Sequence, residues 1–432
     1  MTAPDTADLV RDLVRDLVRI PSVNPRGGAG DGGETAVAEY VRDWLADRGV
    51  HAELHEVLPG RCNVVAVVPG RDLSAPALLL ESHLDTVETD GMTVGPYEGA
   101  VHGGRLYGRG ACDAKGPLAA FLLATAELAR GEPLSHTVLL AGVCDEEHDY
   151  RGVLHLLDTL ADRTGALPGR PGPLGDRTGA LPGRPGPLGD RTGALPGRPG
   201  PVVDRTGALA GRTVVGAIVG EPTGLVPAVA HKGVVRYTVR TTGRAGHSSR
   251  PDEAVNAVTL MAPVIAHLAA PPPAVPPHPL LGPATRSVTR VRGGTGPNTI
   301  PGTCEIDVDR RTLPGEDPEA VWKADRAELA ALDAETDPPF TVDWALDTPP
   351  DAAVVAALRG ALTAHGRPSA VQGMPFGTDA SKLARAGIPS VVFGPGSVTD
   401  AHSAAESVSL AEVELAARVV VATVRGMGER CA

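Results

Sequence analysis

Five short stretches carry side chains able to ligate a metal or move a proton: Ser82-His83-Leu84-Asp85-Thr86-Val87, Gly108-Arg109-Gly110-Ala111-Cys112-Asp113-Ala114-Lys115-Gly116, Cys144-Asp145-Glu146-Glu147-His148, Gly220-Glu221-Pro222-Thr223 and Asp400-Ala401-His402-Ser403. Asp113 is central, because a carboxylate has two oxygens and can hold two ions at once. The same residue, standing before the apolar run 114–120, also suits a helix N-cap. In extended chain His83 and Asp85 point to one side, so the histidine can face a metal while the carboxylate orients its ring; the bland alternative is a hydrogen-bonded histidine at a strand end. Glu146 and Glu147 form either a solvated turn or a working pair, one ligating and the other taking a proton from metal-bound water.

The elements that must position these residues are read from apolar runs. Segments 63–68, 77–80, 137–143, 214–219 and 390–393 are short, rich in β-formers and separated by helix-length stretches, which predicts an α/β sheet with buried strands. Helices are expected at 34–48 and 116–130 after an amphipathic helix across 8–19. His83, Asp113, Glu147, Glu221 and His402 then all fall just beyond apolar strands of one sheet, where open α/β sheets place their sites. Two nitrogen and three oxygen donors without a thiolate suit two divalent metal ions such as zinc (Zn2+), with cobalt (Co2+) or manganese (Mn2+) also compatible. From residue 234 the pattern changes to strands at 235–240, 287–291, 305–310 and 340–344 with helices at 253–268 and 318–332, an α+β insertion; α/β character returns with helices at 352–365 and 410–427.

Residues 162–203 differ from the rest. Asp-Arg-Thr-Gly-Ala-Leu-Pro-Gly-Arg-Pro-Gly-Pro begins at Asp162, Asp176 and Asp190, with a partial copy from Asp204, and its proline and glycine content predicts a flexible, exposed insertion. The chain has 432 residues, room for two domains, and a net charge of −12, which argues against nucleic acid or an anionic membrane as partner. Five widely spaced cysteines lacking a C-x-x-C motif predict free thiols, and no run of 18 apolar residues predicts a spanning helix; the expected location is cytoplasmic.

The ordered motifs S-H-x-D-T-V, G-R-G-x-x-D-x-K-G, D-E-E, G-E-P-T, G-H-S-S and a late A-H-x-x-x-E resemble the acetylornithine deacetylase / succinyl-diaminopimelate desuccinylase family of di-zinc metallopeptidases, which includes aminoacylases and glutamate carboxypeptidases. The resemblance covers nearly the whole chain except the repeat. It implies a zinc-peptidase-like α/β catalytic domain, with a mixed sheet flanked by helices, in residues 1–232 and 346–432, the repeat 162–212 inserted in it. A lid of residues 233–345 would interrupt that domain and join two copies as a homodimer.

By the same resemblance His83 and Glu221 hold one metal, Glu147 and His402 the other, and Asp113 bridges them, with a cis peptide after Asp113. Glu146 is the implied general base, with Asp85 behind His83, and His247 would reach a neighbouring subunit's site to stabilise an oxyanion. Asn298, Arg311, Gly377 and Thr378 align with substrate-binding positions; an arginine fork suits a carboxylate, and of the adjacent pair Arg311 is preferred for that contact with Arg310 as the alternative. The implied activity is cleavage of an N-acyl amino acid amide by metal-bound hydroxide, because Val391-Val392-Phe393-Gly394-Pro395-Gly396-Ser397 with Ala401-His402 looks most like the acetylornithine deacetylase branch. Alternatives are a di- or carboxypeptidase acting on short peptides, a desuccinylase, and a non-catalytic metal-dependent binding protein, which loss of a ligand or the base would favour.

Overall fold

A computed structural model describes residues 6–26, 33–71, 76–161, 213–272 and 275–428, so the 14-residue repeat lies outside the described residues. The larger sheet is built from β1 (Ala52–Leu58), β2 (Arg61–Val68), β3 (Ala77–His83), β4 (Thr137–Val143), β5 (Val214–Val219), β6 (Ala228–His231), β7 (Leu346–Asp347), β8 (Gln372–Met374) and β9 (Ser390–Val392). Its order is β1-β2-β4-β3-β5-β9-β6-β7, with β8 paired to β6. The four central strands β4, β3, β5 and β9 run parallel, and antiparallel pairs flank them.

Every residue of β3 and of β4 is buried, because helices cover both faces. Alternate side chains divide between two cores: Leu78, Leu80, Val138 and Leu140 pack towards the helices Thr6–Arg19, Gly116–Arg130, Ala353–Ala364 and Leu410–Gly428. Leu79, Leu139 and Ala141 face Val153 and Leu156 of the helix Arg151–Ala161 and Leu383 of Ala380–Arg385. In Thr6–Arg19 the buried residues Val10, Leu13, Val14, Leu17 and Val18 follow the spacing of one helical face.

A second, antiparallel sheet contains Gly233–Thr242, Thr285–Gly293, Thr303–Thr312, Glu335–Thr336 and Thr341–Asp343. Val235, Tyr237, Val239, Ile306 and Val308 meet Met261, Val264 and Leu268 of the helix Ala257–Ala269 and Trp322 and Leu329 of Pro318–Ala330, forming a core of their own. The strand Thr285–Gly293 is the exposed edge. The helix expected from residue 253 begins at Ala257, because the Asn256 side chain accepts the amide hydrogens of Val258 and Thr259 and fixes the start there.

Two expectations about Asp113 are corrected. The strand before it, Arg105–Tyr107, belongs to a small separate sheet with Ala100–His102 and Ser407–Ser409, so Asp113 does not follow a strand of the main sheet. The left-handed pair Gly103 and Gly104 turns this hairpin back on itself. Nor is Asp113 a cap: the helix Gly116–Arg130 has Lys115 at its N-cap with no side-chain cap bond, and Asp113 has extended φ/ψ ahead of a cis bond to Ala114.

Gly152 lies in the first turn of the helix Arg151–Ala161 beside the acidic loop, its amide donating to the Cys144 carbonyl at 3.0 Å. A Cβ there would lie 2.2 Å from that same oxygen. Gly152→Ala is therefore expected to destabilise the fold by about 2 kcal/mol or more, the cost of forcing backbone apart in a packed interior, and to lower the urea midpoint accordingly; an unchanged midpoint would contradict this packing.

Candidate metal centre

The parallel strands deliver their residues to one edge. β3 ends at His83, β4 runs into Asp145-Glu146-Glu147, β5 into Glu221, and β9 into the loop that carries His402. Asp113 reaches the same place from the turn before Gly116–Arg130. Its Oδ1 lies 3.0 Å from His83 Nε2 and its Oδ2 lies 3.3 Å from His402 Nε2. Glu221 Oε1 stands 3.8 Å from His83 Nε2, and Glu147 Oε1 stands 3.1 Å from His402 Nε2.

Two triads result, His83–Asp113–Glu221 and Asp113–Glu147–His402, each with one donor atom per residue, all within 4.8 Å of one another. Tetrahedral ligands at ~2.0–2.2 Å from zinc lie roughly 3.3–3.6 Å apart, so these spacings fit an ion in each triad. The charge of the cluster agrees. Burial drives the carboxyls of Glu146, Glu147 and Glu221 above the ordinary range. Hydrogen bonds with Asp113 and Glu147 raise His402 to about 10. After burial, the crowding of the carboxyls against one another raises Glu147 and Glu221, a repulsion that divalent cations would relieve.

The surroundings hold these groups by their backbones. His83 Nδ1 meets the Asp85 carbonyl oxygen at 2.9 Å, the Asp85 carboxylate standing further off at 3.6 Å. That carboxylate instead accepts the amide hydrogens of Glu146 and Glu147, at 3.1 and 3.0 Å. Glu406 does the same for the other side of the site: its Oε1 accepts from the amides of Cys112 and Asp113, and its Oε2 pairs with Arg109 Nη1 at 2.5 Å. The buried Lys115, which burial pushes down to about 7, donates to the Ile20 carbonyl and ties the same turn to the first helix. Glu406 was visible in sequence only as the last letter of the late A-H-x-x-x-E motif, with no role attached to it.

The remaining expected residues meet partners outside the two triads. His247 sits in a two-strand pair, Gly246–His247 with Thr299–Ile300, its Nδ1 2.7 Å from Ser249 Oγ; Asn298 beside it accepts the Ser248 amide through its carbonyl, and both are exposed. Arg311 turns Nε and Nη2 onto Asp309, while the buried Arg310 pairs with Glu316. Thr378 is buried, with its amide donating to His231 Nε2, and a Cβ on Gly377 would strike Asp343 Oδ2.

Residues 79–426 match the peptidase family M20/M25/M40, and the chain belongs to that family. It is an enzyme of a metallohydrolase class that acts on amide bonds. Acetylornithine deacetylase of Myxococcus xanthus is 27% identical over 395 residues, covering 87% of each chain. A family M20 metallo-carboxypeptidase from Sulfolobus solfataricus shares the fold with a TM-score of 0.72 at 16% identity, over 97% of this chain and 99% of that one. A dinuclear metal-binding M20 peptidase of Bacillus subtilis superposes with a TM-score of 0.64 at 17% identity, over 98% of both chains.

Glu406→Gln removes the charge that pairs with Arg109 while keeping an amide oxygen for the Cys112 and Asp113 amides. Because outer partners of metal ligands typically contribute 10–100-fold to metal affinity, we expect metal retention to fall about tenfold or more, measured by competition with a chelator. Unaltered retention would separate Glu406 from the site.

Proposed function

We propose that the chain hydrolyses the amide bond of an N-acyl amino acid, in the manner the name of its Myxococcus xanthus relative describes. The observation that carries this reading is the sharing of Asp113, one oxygen towards each imidazole, with Glu146 on the neighbouring loop. In this reading His83, Asp113 and Glu221 hold one ion and Asp113, Glu147 and His402 the second. Two divalent ions, zinc by donor type with cobalt or manganese as substitutes, supply carbonyl polarisation and acidify water.

Glu146 takes the proton from the attacking water and delivers it to the departing amine. Burial first, then the Asp379 and Glu147 charges, raise its carboxyl well above the ordinary range, and a base tuned upwards suits proton transfer near neutrality. Asp85 keeps the base and the Glu147 ligand in place through their amides. His247 is assigned to the oxyanion in a neighbouring subunit's site, and Arg311, Asn298, Gly377 and Thr378 to substrate contacts, the Nη1 edge of Arg311 being the side turned away from Asp309. The peptidase names of the structural neighbours favour a second reading, a di- or carboxypeptidase acting on short peptides, with a desuccinylase as a third.

Residues 233–345 are proposed as a lid that joins two copies. The exposed edge strand Thr285–Gly293 and the exposed Val258, Leu260 and Val291 support this. A cytoplasmic location is proposed from the free cysteines Cys62, Cys112, Cys144 and Cys304; among the described residues no helix is long and apolar enough to cross a membrane.

The protein loaded with zinc or cobalt should hydrolyse members of a panel of N-acyl amino acids faster than dipeptides; the reverse order selects the peptidase, and inertness to both selects a metal-dependent binding protein. Glu146→Gln should keep both metals and lose about 10²–10⁴-fold in kcat, and Asp113→Ala should lose metal in elemental analysis. Wild-type turnover in the glutamine variant would refute the assigned base. Paired Val258→Glu and Val291→Glu substitutions should convert a dimer to a monomer in sedimentation; a wild type already monomeric would overturn the lid pairing.

A further inference from the structure

We propose that Asn24, Glu34, Arg61 and Asp145 form a buried positioning network that sets the direction of Glu146 and Glu147, a role that rests on the reading of those two residues as base and ligand. Three consecutive backbone amides, those of Asp145, Glu146 and Glu147, each donate to a buried carboxylate. The Asp145 amide goes to Glu34 Oε1 at 3.0 Å, and those of Glu146 and Glu147 go to the two oxygens of Asp85 at 3.1 and 3.0 Å. The acids that accept these hydrogens are themselves held by two donors. Arg61 directs Nη2 to Glu34 Oε1 and Asp145 Oδ1, at 2.7 and 2.8 Å, and pairs Nε with Glu34 Oε2. Asn24 Nδ2 donates to Asp85 Oδ2 at 2.7 Å and to Asp145 Oδ1 at 3.1 Å.

One connected set of bonds therefore runs from the helix Gly33–Ala46 through the start of β2 to the amides of the acidic loop. Its purpose is visible in the backbone. Asp145 adopts φ 68°, a left-handed conformation uncommon outside glycine but open to aspartate, and its amide and carboxylate are both bonded into the network. This turn redirects the chain as it leaves β4 and brings Glu147 to His402. The side chains of Arg61, Glu34 and Asp145 are at most 2% exposed, and none of them, nor Asn24, bonds to His83, Asp113, Glu221 or His402. Their influence on the site passes through the loop backbone. These are positioning residues, separate from the groups that touch substrate.

The test uses the full chain carrying cobalt, with Asn24→Ala and Asp145→Asn made singly and together. A positioning network predicts that Asn24→Ala, with a thermal midpoint close to wild type, loses about 10–100-fold in kcat with KM within about threefold, and binds the weaker cobalt ion about tenfold less tightly by absorbance titration. The double variant should lose little more than the worse single variant, because both substitutions break one connected set. A folded Asn24→Ala with wild-type kcat and wild-type cobalt affinity, or losses that multiply in the double variant, would overturn the network. If Asn24→Ala does not fold, Asn24→Ser, which keeps one donor, carries the comparison with the same outcomes. A wild type inert to every amide offered counts against the hydrolase reading alone, and the cobalt affinities of the same variants still decide whether the network positions Glu147.

Discussion

Asp113 presents one carboxylate oxygen to His83 and the other to His402, and both approaches depend on the backbone at Cys112 and Asp113 staying where it is. A carboxylate shared in this way tolerates little rotation, since turning towards one imidazole withdraws from the other. The structure supplies the restraint from outside the cluster. Glu406 ties the two amides, Arg109 holds Glu406, and Lys115 anchors the following turn to the first helix. The opposite side follows the same rule with different residues: Asp85 ties the amides of Glu146 and Glu147. On both sides, a buried acid bonds the main chain at a residue proposed as a ligand, so that residue's own side-chain atoms stay available.

Much of the frame was legible because its physics is local. β3 and β4 are continuous aliphatic runs, and a strand buried on both faces must read that way. β1, Ala-Glu-Leu-His-Glu-Val-Leu, is illegible for the complementary reason: its residues are mostly half-buried at the sheet's edge, so polar and apolar residues mix and no run stands out. Short strands such as β7 and β8 exist only because a neighbour pairs with them. Asp113 suits both a helix cap and a bridging carboxylate, because cap and ligand share the same residue type and the local pattern holds nothing that distinguishes them.

The supports of the site were the least legible part, for a physical reason. Glu34, Arg61 and Asp145 are separated by 27 and 84 residues along the chain, and each in isolation resembles a surface charge. Their burial becomes sensible only when all three meet, because an uncompensated guanidinium or carboxylate in the interior is costly while a hydrogen-bonded set is tolerated. Sequence offers one trace of this: Arg61 opens the apolar strand β2 at a position where no solvent-exposed charge is needed. His83, Glu147 and Glu221, in contrast, announce themselves because each sits just beyond an apolar run, whereas Asp113 stands before one.

The second sheet obeys different constraints. Its core of Val235, Tyr237, Ile306, Met261 and Trp322 is separate from the two cores that sandwich the larger sheet, and polar bonds tie the two together, Asp343 accepting from Lys382 and Ser381 of the helix Ala380–Arg385. The residues it offers are less enclosed: His247 and Asn298 are exposed on a short strand pair, and Arg311 is held by Asp309, which also receives Arg236. A guanidinium already oriented by an acid loses less freedom when an anion arrives at its remaining edge, so the Asp309 pairing is compatible with recognition of a substrate carboxylate. The proposed division of labour follows from the energetics: of the residues proposed to hold cations, all but the exposed His402 are buried or half-buried at the sheet edge, whereas His247 and Asn298, proposed to meet an oxyanion and a substrate, stand exposed on a separately packed element.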